Sequence, residues 1–197
     1  MLTSKQQIVK RVFDVVFSFF ILLVLGIPIL LLIGIARFNT NMSGLFSQNR
    51  IGKNGKPFAM YKIRTLKGIN HKSVQEIKDF ETDFGRWLRR TKLDELPQFF
   101  NVLKGDMSIV GPRPDVAGYA DNLQEKDRII LRIRPGITGP ATIKYKNEEE
   151  VLLKQKNPQK FNDTIIWPDK VNINKEYIAN WSFTKDIKYI CASLVNF

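Results

Sequence analysis

Cysteine and histidine are almost missing from this sequence of 197 residues, which holds one of each, Cys191 and His71. A lone cysteine excludes an internal disulfide framework and any multi-cysteine metal cluster, and assigns the bulk of the chain to a reducing compartment. His71 stands in a polar Gly-Ile-Asn-His-Lys stretch, the setting of a solvated loop residue. Histidine-based triads and zinc sites built on histidine pairs are therefore excluded. Acidic residues are also scarce: 19 Asp and Glu against 31 Lys and Arg leave a net charge of +12. That balance favours polyanionic partners, whether nucleic acid, anionic lipid or phosphorylated substrate. No internal repeat or low-complexity segment is present, and the length with 44% hydrophobic residues suits one domain rather than two.

Charge is absent altogether from Val15 to Ala36, a run of 22 positions, against the roughly 20 that cross a bilayer as a helix. The run exceeds the apolar core of a secretory leader, and Arg37-Phe38 follows where small residues would be needed for cleavage, so it is read as a retained membrane segment. Pro28, preceded by Gly26-Ile27, removes a backbone donor just past the middle and disrupts the bond to the Val24 carbonyl. Lys5, Lys10 and Arg11 lie before the run and Arg37 after it, so the positive-inside bias marks no outward end. Two topologies fit these residues: a helix-break-helix that enters one leaflet and returns to the same face, and a single kinked span. Asp14 shares a helical face with Lys10 and Arg11 and is expected to pair with them at the level of the lipid headgroups.

Leu45–Arg50 and Phe58–Thr65 are strand-like runs on either side of Lys53-Asn54-Gly55-Lys56, whose Asn-Gly centre predicts an antiparallel hairpin. Residues 37–67 hold seven basic residues and no acidic one. By the two-residue period Lys62 and Arg64 share a face and can aim at one anion, which a phosphate group or a sheet of anionic headgroups would supply. Aromatic residues are not interleaved with these cations as stacking platforms, and no nucleic-acid-reading module is evident, which speaks against nucleic acid. Residues 74–90 read as one helix with Phe84, Trp87 and Leu88 on its apolar face. Leu96, Phe99, Phe100 and Leu103 then follow at helical spacing, with Asp94 as N-cap, Pro97 in the first turn and Gly105 as C-cap. Asp106–Pro114 and Arg134–Pro140 read as Pro/Gly turns, residues 145–174 show no clear pattern, and Tyr177–Leu194 reads as short amphipathic helices that pack on the domain or touch the membrane. The expected fold class is α+β, helix-rich with a small antiparallel hairpin.

The stretch TKLDELPQFF, residues 91–100, sets two carboxylates side by side, Asp94 and Glu95. The positive end of the helix, with Arg89, Arg90 and Lys92 nearby, is expected to keep Asp94 ionised at neutral pH. Successive helical residues point about 100° apart, so the pair can approach one phosphorus from two sides. One carboxylate would attack it or hold a divalent cation, and the other would manage a proton or a second ligand position. A plainer role is also open to these residues: Asp94 as a cap only and Glu95 as a solvated first-turn acid.

The ordered set Lys10-Arg11-x-x-Asp14, a proline-broken apolar helix, Arg50-x-Gly52, Phe58-x-x-Tyr61-Lys62-x-Arg64-Thr65, Leu93-Asp94-Glu95-Leu96-Pro97-Gln98, Gly105-Asp106-Met107-Ser108, Gly111-Pro112-Arg113-Pro114 and Arg134-Pro135-Gly136-Ile137-Thr138-Gly139 resembles the small bacterial sugar transferases, the monotopic phosphoglycosyl transferases. The resemblance covers nearly the whole chain. It implies an enzyme on the cytoplasmic face of the bacterial inner membrane that moves a sugar-1-phosphate from a UDP-sugar to polyprenol (undecaprenyl) phosphate, releases UMP and starts glycan assembly. It implies Asp94 as the nucleophile, carrying a covalent phospho-sugar in a ping-pong cycle, and as a ligand of the cofactor Mg²⁺, with Glu95 as its dyad partner. Lys62, Arg89 and Arg113 would bind the phosphates, and Arg64 joins them as a candidate through the face it shares with Lys62. It tips the topology to a re-entrant segment broken at Pro28 over residues 1–37, with residues 38–197 as the catalytic domain. Two other classes compete: a membrane-tethered protein that binds polyanions without catalysis, and a hydrolase using the same two carboxylates.

Overall fold

The computed structural model describes residues 2–69 and 74–195, so His71 lies outside the described residues. Helix α1 runs from Ser4 to Thr40, about 55 Å if straight. Thr3 starts it with a capping box: the Thr3 hydroxyl accepts from the Gln6 amide, and the Gln6 side chain accepts from the Thr3 amide. The interruption expected at Pro28 is not seen; Pro28 lies inside one helix, which also continues three residues past the expected boundary at 37. Proline removes a single donor, and an apolar stretch offers the neighbouring peptide groups no better partner than the helix itself.

One stripe of α1 docks on the rest of the protein. Lys10, Asp14 and Ser18 are buried at four-residue spacing, and Ile29, Ala36 and Thr40 continue the same face. Lys10 Nζ donates to Asp186 at 2.6 Å, Arg11 donates to the Val102 and Leu103 carbonyls at 2.6 and 3.0 Å, and the Ile109 amide donates to Asp14 Oδ1 at 3.0 Å. The trio expected at headgroup level is thus used inside the protein, because each member meets a group that burial would otherwise leave without a partner. The opposite face, with Phe19, Phe20, Leu23, Val24, Ile27 and Leu30, is exposed and apolar.

Asn41, in the left-handed conformation at φ 55°, ends α1. The chain then returns along it so closely that a Cβ on Gly44 would lie 1.9 Å from the Ile33 carbonyl oxygen. Strands β1 (Leu45–Ile51) and β2 (Pro57–Ile63) pair antiparallel, Leu45 opposite Ile63, through a turn in which Asn54 and Gly55 take positive φ, as the hairpin reading expects. The open edge of β2 is met by a side chain rather than a strand. Asn101 of helix α4 (Gln98–Lys104) accepts from the Tyr61 amide at 3.0 Å and donates to the Ala59 carbonyl at 2.7 Å.

The segment read as one helix over 74–90 is two, α2 (Val74–Phe80) and α3 (Asp83–Arg90), parted where Glu81 bridges to Leu66 and Thr82 caps the Gly85 amide. Helix α4 (Gln98–Lys104) ends at Gly105, φ 98°, as expected, but its buried face is Gln98, Asn101 and Val102, and Phe100 is 53% exposed. The bonds of Asn101 to β2 and the contact of Phe99 with Phe17 set that orientation. The Pro/Gly stretches read as turns hold two short parallel strands, β3 (Ser108–Val110) and β4 (Gly136–Thr138). A Cβ on Gly136 would come within 2.1 Å of the Gly111 nitrogen, so the two stretches are halves of one close-packed unit. Helices α5 (Pro140–Lys144), α6 (Glu148–Leu153), α7 (Pro158–Phe161), α8 (Trp167–Ala179) and α9 (Phe183–Val195) complete the chain. Helix α9 matches the amphipathic helices anticipated near the end, whereas α8 begins at Trp167, inside the stretch that showed no clear pattern; its Tyr177 and Ile178 join Met107, Val110 and Ile133 in the main core.

Candidate active site

Asp94 and Glu95 lie on a 3₁₀ turn, Leu93–Glu95, that Lys92 opens in the left-handed conformation at φ 55°. Asp94 is therefore not the cap of α4, whose cap position is taken by Pro97, and the end of that helix is not what sets its charge. Both carboxylates are buried, with 6% and 9% of their surface exposed, where an uncompensated charge would be severely penalised.

Compensation comes from two elements far apart in sequence. Lys62 of β2 places its Nζ 2.8 Å from Glu95 Oε1 and 3.9 Å from Asp94 Oδ2. Arg113, projecting from the loop after β3, donates from Nη2 to Glu95 Oε1 at 2.5 Å and from Nη1 to Oε2 at 3.3 Å. Its Nη1 also reaches the Ile137 carbonyl of β4 at 3.4 Å, so the parallel strand pair sets its aim. Both oxygens of Glu95 are thereby taken, whereas Asp94 Oδ1 is buried with no hydrogen-bond partner.

The two neighbours titrate in opposite directions. Burial pushes Asp94 up to about 6, with Lys62 pulling it down and the Glu95 charge adding to the rise. Burial acts on Glu95 in the same sense, but Arg113 and Lys62 outweigh it and hold Glu95 well below the usual carboxylate range. Such a split assigns different roles to two carboxylates of one site. The Glu95 charge in turn raises Arg113.

Of the side chains anticipated around phosphate, Lys62 and Arg113 join the dyad. Arg89 instead pairs with Glu149 and with Glu81. Arg64 follows the end of β2, donates to the Ser43 carbonyl at 2.7 Å and lies over the Phe46 ring. It turns away because the chain beyond Ile63 runs beside Gly44, whose carbonyl accepts from the Arg64 amide.

Two groups beside Arg113 were missed as site residues. Arg50 is held by the Pro114 carbonyl and Gln48, and its pKa is lowered by burial and then by the Arg113 charge. Burial pushes Asp115 up to about 6 against the pull of Lys170, Arg50 and Arg113. The Arg-x-Gly block and the residue after Gly-Pro-Arg-Pro carried the only signal for them.

Among the described residues no three acidic, histidine or cysteine side chains converge on a metal position. The site nevertheless fits Mg²⁺, which commonly takes one or two protein carboxylates and completes its shell with phosphate oxygens and water. The Asp94 carboxylate, with Oδ1 unpartnered and Oδ2 3.9 Å from Lys62 Nζ, is the group such an ion would use.

Comparison with known proteins adds to this geometry. The family model described as bacterial sugar transferase matches residues 5–197. The chain is 35% identical over 190 residues to the uncharacterized sugar transferase EpsL of Bacillus subtilis (strain 168), covering 95% of this chain and 86% of that one. It is 36% identical over 198 residues to the UDP-glucose:undecaprenyl-phosphate glucose-1-phosphate transferase of Escherichia coli (strain K12), covering 96% and 40% respectively. Against the undecaprenyl-phosphate galactose phosphotransferase of Salmonella typhimurium the identity is 30% over 200 residues, covering 92% and 38%. The chain thus spans most of the first relative and about two-fifths of the other two.

Proposed function

This chain belongs to the bacterial sugar transferase family and is a transferase, and from that premise we propose that it moves a sugar-1-phosphate from a UDP-sugar to polyprenol phosphate, with Asp94 as nucleophile. The observation that carries this reading is the buried Asp94 carboxylate with a free oxygen, beside a Glu95 whose own oxygens are both occupied.

The chemistry runs in two displacements. Asp94 Oδ1 bonds to the β-phosphorus of the donor, the bond from that phosphorus to the bridging oxygen breaks, and UMP leaves with the electron pair. The sugar phosphate is then held on Asp94 as an acyl phosphate. An oxygen of polyprenol phosphate bonds to the same phosphorus, the bond to Asp94 breaks, and the carboxylate is restored. Anions enter and leave at each step, so no net proton transfer is required. Glu95 is therefore not a proton carrier: held ionised, it orients Lys62 and Arg113, whose charge would offset that of the anionic substrate. Mg²⁺ would be held by Asp94 together with diphosphate oxygens and would supply neutralisation of phosphate charge.

Membrane attachment follows from α1. Its exposed face from Phe19 to Leu30 is apolar, and its buried stripe docks on one body both before and after that band. A helix held at both ends by one domain keeps both flanks on one side of the bilayer, which supports the monotopic reading, taken on the cytoplasmic face; the re-entrant form of it requires a break at Pro28 that the continuous α1 does not show. Cysteines placed before residue 10 and after residue 40, in a Cys191→Ser background, should be labelled from the same side of sealed vesicles; opposite-side labelling overturns it.

The test of function is the full chain with polyprenol phosphate, Mg²⁺ and a panel of UDP-sugars. UMP release with a phospho-sugar adduct mapped to Asp94 is expected. Salt-sensitive polyanion binding without turnover would establish the tethered binding protein, and sugar phosphate freed to water would establish a hydrolase.

A further inference from the structure

A cleft of about 450 Å³ shares no lining residue with the acidic pair; Tyr119, Asn122, Leu123, Gln159, Asp163 and Trp167 line it. Its charge is unlike that of the dyad. In a chain of net charge +12, these walls carry one carboxylate and no cation. Such a lining repels a phosphate and leaves a neutral ligand unaffected.

The polar groups are preset on one hydroxyl. The Tyr119 phenol donates to Asp163 Oδ1 at 2.8 Å and accepts from Gln159 Nε2 at 2.7 Å and from Asn162 Nδ2 at 3.0 Å. Gln159 Nε2 also reaches both Asp163 oxygens, at 2.9 and 3.0 Å. Asn162 and Asp163 are adjacent, and successive residues of an α-helix would point about 100° apart. Both nevertheless reach the Tyr119 phenol, at the start of a π-helical turn over residues 162–166, a rare feature that recurs at functional sites. The fixed Tyr119 ring stands edge-on to Trp167 with centroids 5.3 Å apart. Two aromatic walls suit the C–H face of a pyranose, and Asp163 Oδ2, which accepts from Gln159 alone, keeps a lone pair for a ring hydroxyl while Oδ1 is filled by Tyr119, Gln159 and Asn162.

We infer that this cleft, built by Tyr119, Trp167 and Asp163 on the π turn, binds a neutral sugar ring. The sugar is that of the UDP-sugar donor or that of a separate glycan, and only the first source rests on the proposed transfer reaction.

The experiment uses the full chain in lipid nanodiscs, free of glycoside detergent. Saturation-transfer NMR is recorded with the methyl glycosides of glucose, galactose, N-acetylglucosamine and N-acetylgalactosamine. At least one should receive saturation on its ring protons, Asp163→Asn and Trp167→Ala should each weaken it at least fivefold, and UMP should not displace it. Asp163 is exposed, so the Asn exchange reads binding rather than folding. Absence of glycoside binding, equal binding to Asp163→Asn, or displacement by UMP overturns the inference. This arm needs no turnover and survives a failure of the transferase reading. A fivefold change by Asp163→Asn in the kcat/KM ratio of UDP-sugars differing at one hydroxyl would identify the donor as the source. An unchanged ratio with weakened glycoside binding would identify a separate glycan.

Discussion

The dyad pocket and the Tyr119 cleft both centre on carboxylates, yet they treat charge in opposite ways. At the dyad, two carboxylates are buried and two cations are drawn in from β2 and from the loop after β3. In the cleft, one exposed carboxylate is satisfied by a phenol and two carboxamides. Burial raises Asp94 to about 6, whereas hydrogen bonds from Gln159 and Tyr119 lower Asp163. Formal net charge therefore says little about either site; the local balance of desolvation against partners decides which one receives an anion.

The same isosteric exchange in both regions breaks the comparison most sharply. Asp94→Asn should reduce UMP release by about 10³-fold or more and abolish the adduct in intact-mass spectra, since an amide is not a competent nucleophile. Arg113→Ala should lower kcat by about 10²-fold by removing the donor that the proposed mechanism assigns to the reacting phosphate. Because Arg113 is partly exposed, the accompanying stability loss should be held to about 1–3 kcal/mol, checked by chemical denaturation.

A smaller effect is the acid limb of the rate. In the proposed reaction the ionised form of Asp94 is the reactive one, so the first half-reaction should climb about tenfold per pH unit below about 6 and level off above it. Lys62→Met removes a charge that lowers Asp94 and should move the limb to higher pH; rapid-quench measurement of UMP between pH 4.5 and 8 decides this.

Stability gives the smallest contrast. The folded pKa of Asp94 is above its unfolded value of 3.8, so its contribution to stability is full below pH 3.8 and is lost as pH rises through about 6. Asp94→Asn should then raise the thermal midpoint by a few degrees at pH 7.5, with the gain vanishing toward pH 4. Asp163 is shifted the other way, so Asp163→Asn should leave the midpoint unchanged or slightly lower at pH 7.5. Parallel melting curves of the two variants test the difference in sign.

Several elements were legible in the sequence because their causes are local. The Asn54-Gly55 turn, the Gly105 cap, the last helix and the uncharged run from Val15 each depend on residues within a few turns of one another. Residues that looked alike locally went separate ways. Arg64 and Lys62 share a strand period, but only Lys62 meets Glu95, since Arg64 lies past the strand beside α1. Phe100 fits an apolar stripe yet faces outward, because Asn101 had a strand edge to satisfy. Lys10, Arg11 and Asp14 looked like headgroup ligands until α9, α4 and β3 supplied their partners.

The sequence alone determined that a lasting apolar helix, a hairpin and an adjacent pair of carboxylates occur in one basic chain, since spacing and side-chain type are short-range properties. Tertiary structure alone decided that Lys62, Glu95 and Arg113 meet and that Asp94 keeps one oxygen free. It also decided that two glycine-rich stretches pair as parallel strands and that α1 is held along one face. Those outcomes depend on which distant groups exclude water from each other, and that is settled only when the chain closes on itself.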